Sequence, residues 1–157
     1  MKAISPVIAT VIIVAVAIAI AVAVAFWMTG ITGTFTRYEK LEITTAYATG
    51  DQTSGWTVTL KVKNTGPSDA TIDDIYINGM PLTEYTNTVT SVSYTCGTPT
   101  TTNVIGPTAS ISIPVKSGET ATIVLSIAGD TFTSGQTIEI KLHTAAGYEY
   151  PRQITLP

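Results

Sequence analysis

Chemistry-bearing residues are scarce in this chain. Cys96 is the only cysteine and His143 the only histidine among 157 residues. That rules out a zinc or redox framework built from several such ligands. A Cys–His dyad is arithmetically possible, but Cys96 sits in a Thr-rich stretch with no recognised nucleophile motif around it. There is no phosphate-cradling glycine loop and no nucleophile elbow. Asp69, Asp73 and Asp74 lie close together but lack the spacing of a calcium loop. Charge is sparse at 12% of residues, with a net charge of −3 and no basic run that would mark a nucleic-acid partner. No Asn-x-Ser/Thr sequon occurs, so N-linked glycans are not expected. The sequence offers no catalytic, cofactor-binding or metal site, and the expectation is a protein that is not an enzyme.

What the chain does have is one long run without charge. After Lys2 the next charged residue is Arg37, and residues 6–28 are almost wholly apolar. About 23 residues at 1.5 Å each make a helix of roughly 34 Å, enough to cross a bilayer or to serve as the core of a filament. No Leu occurs before Leu41. Val and Ile are stiff about χ1, and small stiff side chains lose little rotamer freedom when packed. From Val14 to Ala25 branched residues alternate with alanine, a pattern that also suits a strand. Length and the lack of any turn signal favour a helix. At about 100° per residue, Ala15, Ala19 and Ala23 form one stripe, and Ala17, Ala21 and Ala25 a second. Ile18 and Val22 fill one gap between the stripes, and Val16, Ile20 and Val24 the other. Small residues four apart let helix backbones approach closely in an apolar medium. A helix with such grooves and ridges all round suits packing among identical helices. Phe26 and Trp27 mark an interfacial end. Gly30 and Gly33 then read as a hinge over residues 30–36, because glycine lowers helix stability and permits bends.

Three readings of this segment compete: a cleaved secretory signal, a permanent membrane anchor, and an anchor trimmed at its extreme N-terminus before moving into a filament. The run exceeds the usual apolar region of a secretory signal. The opening Lys2-Ala3-Ile4-Ser5-Pro6-Val7-Ile8, followed by the Ala/Val/Ile run, resembles the N-terminus of archaeal type IV pilins with their class III signal peptides. The resemblance covers about the first 30 residues closely and the remainder only in kind. It implies a leader of residues 1–3, with Lys2, Ala3 and Ile4 as the processing point and a cut between Ala3 and Ile4. It also implies three partners: a prepilin peptidase, an assembly ATPase and a membrane platform protein. Bacterial relatives carry a Glu five residues into the mature chain. The equivalent here is Ile8, so that residue's assembly role does not transfer.

Beyond the hinge, residues 37–157 suit one domain of short strands. Trp56, Val58, Leu60 and Val62 alternate with Thr57, Thr59, Lys61 and Lys63, the mark of a half-buried antiparallel strand. Leu41, Ile43, Thr45 and Tyr47 are expected to share one face of an earlier strand. Ile75 and Ile77 precede the turn signal Asn78-Gly79. Ile111, Ile113 and Val115 alternate, as do Ala121, Ile123, Leu125 and Ile127, and then Ile138, Ile140 and Leu142. A last strand begins at Tyr148 and Tyr150. About seven such strands predict an immunoglobulin-like β-sandwich head. Residues 81–107 are irregular and Thr-rich. They could contain one hairpin exposed at the tip of the head, and they read as an ordinary variable loop in preference to a recognition loop. His143 falls on the polar face of its strand and is expected to be solvated.

The fold class expected is therefore α+β: a hydrophobic helix over residues 4–29 followed by an all-β sandwich. The function expected is that of a pilin, polymerising through its helix into an extracellular filament used for adhesion. Before assembly it would be a single-pass membrane protein. Its main partners would be copies of itself, and its Thr/Ser surface offers sites for O-linked glycans. Two alternatives stand beside this. One is a subunit of an archaellum-type motility filament. The other is a monomeric, membrane-anchored extracellular binding domain.

Overall fold

A computed structural model describes residues 6–35, 38–85, 88–97, 101–105 and 110–157. The chain divides into two units, residues 1–37 and 38–157. The architecture is α+β, with one long apolar helix followed by two antiparallel sheets forming a sandwich.

Helix α1 spans Pro6–Phe35, 30 residues, about 45 Å at the usual rise. Proline is well placed in a first turn, where its missing N–H would have no partner anyway. The helix also runs through Gly30 and Gly33, later than the sequence expectation of an end at residue 29 and a hinge over 30–36. Each glycine costs about 1 kcal/mol relative to alanine, but no proline interrupts the run. The hydroxyls of Thr29 and Thr32 hydrogen-bond back to the carbonyls of Ala25 and Met28, so their polar groups do not compete with the helix from outside it.

The head contains ten strands among its described residues: β1 (Leu41–Asp51), β2 (Gly55–Asn64), β3 (Ala70–Ile77), β4 (Met80–Pro81), β5 (Val89–Cys96), β6 (Thr101–Ile105), β7 (Ile113–Val115), β8 (Thr120–Ile127), β9 (Thr137–Thr144) and β10 (Glu149–Thr155). A short 3-10 turn covers Leu82–Tyr85. The first sheet has the order β1-β2-β8-β5-β6. The second has the order β10-β9-β3-β4, with β7 also paired to β3. Alternation explains the core. Val58, Leu60 and Val62 on β2, Ile123 and Leu125 on β8, and Ile138, Ile140 and Leu142 on β9 are all fully buried. Each such side chain contributes about 1.5–3 kcal/mol. Asn78 and Gly79 both take positive φ, 51° and 82°, the geometry a two-residue hairpin requires. Trp56 is buried, and its indole N–H lacks a partner among the described residues.

Two local expectations are corrected. In β1 the pairing with β2 slips between Ile43 and Thr45. This bulge inverts the alternation: Ala46 and Ala48 pack against the core, while Thr45 and Tyr47 are exposed. One extra residue is enough, because side chains alternate with period two. In residues 81–107 the hairpin that the sequence allowed is present as β5 and β6, but it extends the first sheet and is not an ordinary variable loop. β5 pairs with β8 from Val89 to Cys96 and with β6 on its other side, and Val89 and Val92 are fully buried. Thr and Ser on the outward face hide the strand from a reading that looks for apolar density.

Candidate assembly site

Every residue of α1 from Pro6 to Gly33 is exposed in the single chain. The large side chains from Val7 to Met28 range from 48% exposed at Val22 to 75% at Phe26. The same stretch, Pro6–Gly33, is the one helix among the described residues long and apolar enough to cross a membrane. Thr10 does not break the apolar surface, because its hydroxyl donates to the carbonyl of Val7 at 2.8 Å. With Val11, Val14, Ala15 and Ile18 it lines a shallow open groove along one side of the helix. The helix thus presents the apolar girth that its sequence implies. Residues 14–25 all lie within it, and the two alanine stripes follow from its regular geometry. Gly30 and Gly33 have open space where a Cβ would stand, so among the described residues of the helix their small size answers no steric demand. Lys2, Ala3 and Ile4 lie outside the described residues.

The head holds its own first residues firmly. The carbonyl of Lys40 accepts from the backbone N–H of Thr65 at 2.8 Å and of Gly66 at 3.2 Å. A Cβ on Gly66 would stand 2.5 Å from the nitrogen of Lys40, so only glycine allows this approach. Glu39 accepts a hydrogen bond from the buried hydroxyl of Thr144. Beside this clamp lies Asn64, fully buried. Its Nδ2 donates to the carbonyls of Ser68 and Val115 at 2.8 and 2.9 Å, and its Oδ1 accepts from the N–H of Gly66 at 2.9 Å. The amide therefore satisfies itself while joining the end of β2 to β7. Sequence reasoning missed Asn64 and Gly66. The available signal was the Asn64-Thr65-Gly66-Pro67 turn following a buried strand.

Other residues singled out by the sequence are engaged separately. His143 does lie on the polar face of β9, but it is not simply solvated: its Nδ1 stands 2.6 Å from Asp73 Oδ1, and its ring meets Tyr76 edge-on. Asp69 accepts from the N–H of Ser117, and Asp74 from that of Ile75. The three aspartates thus make separate contacts and form no shared cradle. Cys96 is partly buried, its Sγ 3.0 Å from the carbonyl of Pro114 and 3.8 Å from Glu119 Oε2. Burial, then the Glu119 carboxylate, raises its pKa and disfavours the reactive thiolate.

No protein-family model matches the chain, and no curated protein matches it. Among solved structures it is similar to the archaellum periplasmic stator protein FlaG from Sulfolobus acidocaldarius. The two are 18% identical, with 74% of this chain and 99% of that one covered and a TM-score of 0.39. The Iho670 flagellar-like filament is 14% identical, with 97% of this chain and 98% of that one covered and a TM-score of 0.39. A structure of the FlaF and FlaG stator complex from Sulfolobus acidocaldarius is 18% identical, with 74% and 90% covered and a TM-score of 0.35. At 14–18% identity and TM-scores of 0.35–0.39 these likenesses fix neither family nor function.

Proposed function

We propose that this chain is a pilin, a structural subunit that polymerises through α1 into an extracellular filament. One observation carries the reading. The helix exposes apolar side chains from Pro6 to Gly33, while the head fills its own core mainly with strand residues. Apolar surface on that scale demands burial elsewhere, first in a membrane and then among identical helices. The stripes of Ala15, Ala19 and Ala23 and of Ala17, Ala21 and Ala25 offer close approach, and the branched residues between them fill the facing grooves.

Assembly then follows in order. The helix is stored in the bilayer with Lys2 on the cytoplasmic side. A prepilin peptidase cuts between Ala3 and Ile4. A platform protein and an ATPase move the helix from lipid into a bundle, and the β-head becomes the outer sheath. The task is structural rather than catalytic. Adhesion is the use to which the pilin resemblance points, and exposed hydroxyls on the head offer sites for O-linked glycans.

Mass spectrometry of the N-terminus in a sheared surface fraction tests the reading. The mature chain is expected to begin at Ile4. An intact Met1 would count against both processing and the pilin. A start at Phe26 would establish an ordinary secretory signal instead.

A further inference from the structure

The two outer faces of the sandwich differ in charge. On the first sheet, Val58, Leu60 and Val62 point inward, so Lys61 and Lys63 of β2 point out. Their surroundings are mostly hydroxyls: Thr45, Lys61, Thr122 and Thr95 make one continuous cross-strand row. The neighbour of Lys63 across the strand pair is Glu42, yet neither lysine has a carboxylate within 4.0 Å among the described residues.

The outer face of the second sheet carries Asp73, Glu139 and Glu149. Its lysine is already engaged, with Lys141 Nζ 3.0 Å from Glu149 Oε2 and 5.7 Å from the centre of the Tyr76 ring. Glu139 has no cation within 4.0 Å among the described residues. One face therefore presents unpaired ammonium groups on a hydroxyl surface, and the opposite face presents a surplus of carboxylate.

We infer that the heads of neighbouring copies meet face to back in the filament, with Lys61 and Lys63 of one copy against the Glu139 face of the next. The inference rests on the filament reading above and names a contact that the helix does not supply. The occupant is a second copy because the complementary charge is on the same molecule. The contact is also heterologous. It leaves one free face at each end and, where its rotation does not close a ring, repeats as a filament requires. Sheets packed face to face lie about 10 Å apart, within the combined reach of lysine and glutamate side chains. Opposite charges across such a contact fix its register and disfavour wrong pairings.

Sheared wild-type filaments, treated with a zero-length carbodiimide and digested, test the contact directly. The expected products join Lys61 or Lys63 to Glu139, Asp73 or Glu149. These residues lie on opposite faces of one head with both sheets between them, so such a link joins two copies. Links from the lysines to Glu42 alone, or to none of the three carboxylates, overturn the inference. Filaments absent from the sheared fraction remove the filament reading itself and the contact with it. A charge exchange gives a second reading. Lys61→Glu with Lys63→Glu should lower filament recovery roughly tenfold, and adding Glu139→Lys should restore part of it. Unchanged recovery from the lysine variant overturns the contact.

Discussion

The helix and the head use similar aliphatic residues to opposite ends. In the head, Val58, Val62, Ile123 and Ile140 are completely buried, each matched by a neighbour from another strand of the same chain. In α1, Val14, Ile18, Ile20 and Val22 remain 48–59% exposed, although they are no less apolar. The difference lies in pattern. Strands of the head alternate apolar and polar positions, which gives each a face to bury and a face to wet. The helix is apolar all round, so no single partner surface can cover it. The head completes itself, whereas the helix leaves its apolar surface from Pro6 to Gly33 uncovered.

The comparison breaks most sharply if the helix tolerates charge. Ala21→Asp should abolish filaments while leaving the head folded. A carboxylate at the centre of an apolar span costs at least about 2.5 kcal/mol on insertion scales, and a dry bundle gives it no partner. Electron microscopy of the sheared fraction reads the result, after a membrane fractionation has shown that the variant is still inserted. Normal filament yield would mean that residue 21 does not lie in a packed core.

A second test separates the units. A fragment of residues 38–157 should be a soluble β-domain that forms no filaments, with strand and little helix by circular dichroism. Within it, Asn64→Ala should cost about 2–4 kcal/mol in urea unfolding, because the carbonyls of Ser68 and Val115 lose the amide donor and the N–H of Gly66 keeps only its longer bond to the Lys40 carbonyl. Ordered fibres from the fragment would place assembly in the head. An unfolded fragment would mean that the head's core needs the helix after all.

The smallest effect belongs to one turn of the head. The Asp51 carboxylate accepts from the N–H groups of Ser54 and Thr53, and these hydrogen bonds hold its pKa below the ordinary aspartate value. A lowered folded-state pKa stabilises above the unfolded value and loses that stabilisation as the pH falls through the folded one. Asp51→Asn should therefore lower the melting temperature of the fragment slightly near neutral pH. The difference from wild type should vanish in acid, well below pH about 3.9. A difference that persists there would assign the effect to side-chain shape rather than charge.

Much of this was legible without coordinates. The charge-free run from Pro6 onward, with no turn signal in it, marked a long apolar helix, and α1 spans Pro6–Phe35. Strict alternation in β2, β8 and β9 marked their buried faces, and Asn78-Gly79 announced its turn. Local features failed where the decision was not local. Thr44 belongs to a bulge because β1 must keep register with β2 on both sides of it, and that condition cannot be read from β1 alone. The Thr-rich segment around Ser91 and Ser93 joins the first sheet because β8 offers it an edge far along the chain, at Ser126 and Val124.

By itself, then, the sequence determined which surfaces are apolar, because periodicity is a property of neighbouring residues and the backbone repeat converts it into a face. It determined in the same way that the helix cannot be satisfied by one partner. Only the tertiary structure decided which strands lie side by side and that Asn64 and Gly66 fasten the start of the head. It alone placed Lys61 and Lys63 on the face opposite Glu139. Those outcomes depend on which distant residues the chain brings within hydrogen-bonding or ion-pairing distance, and sequence spacing carries no record of that distance.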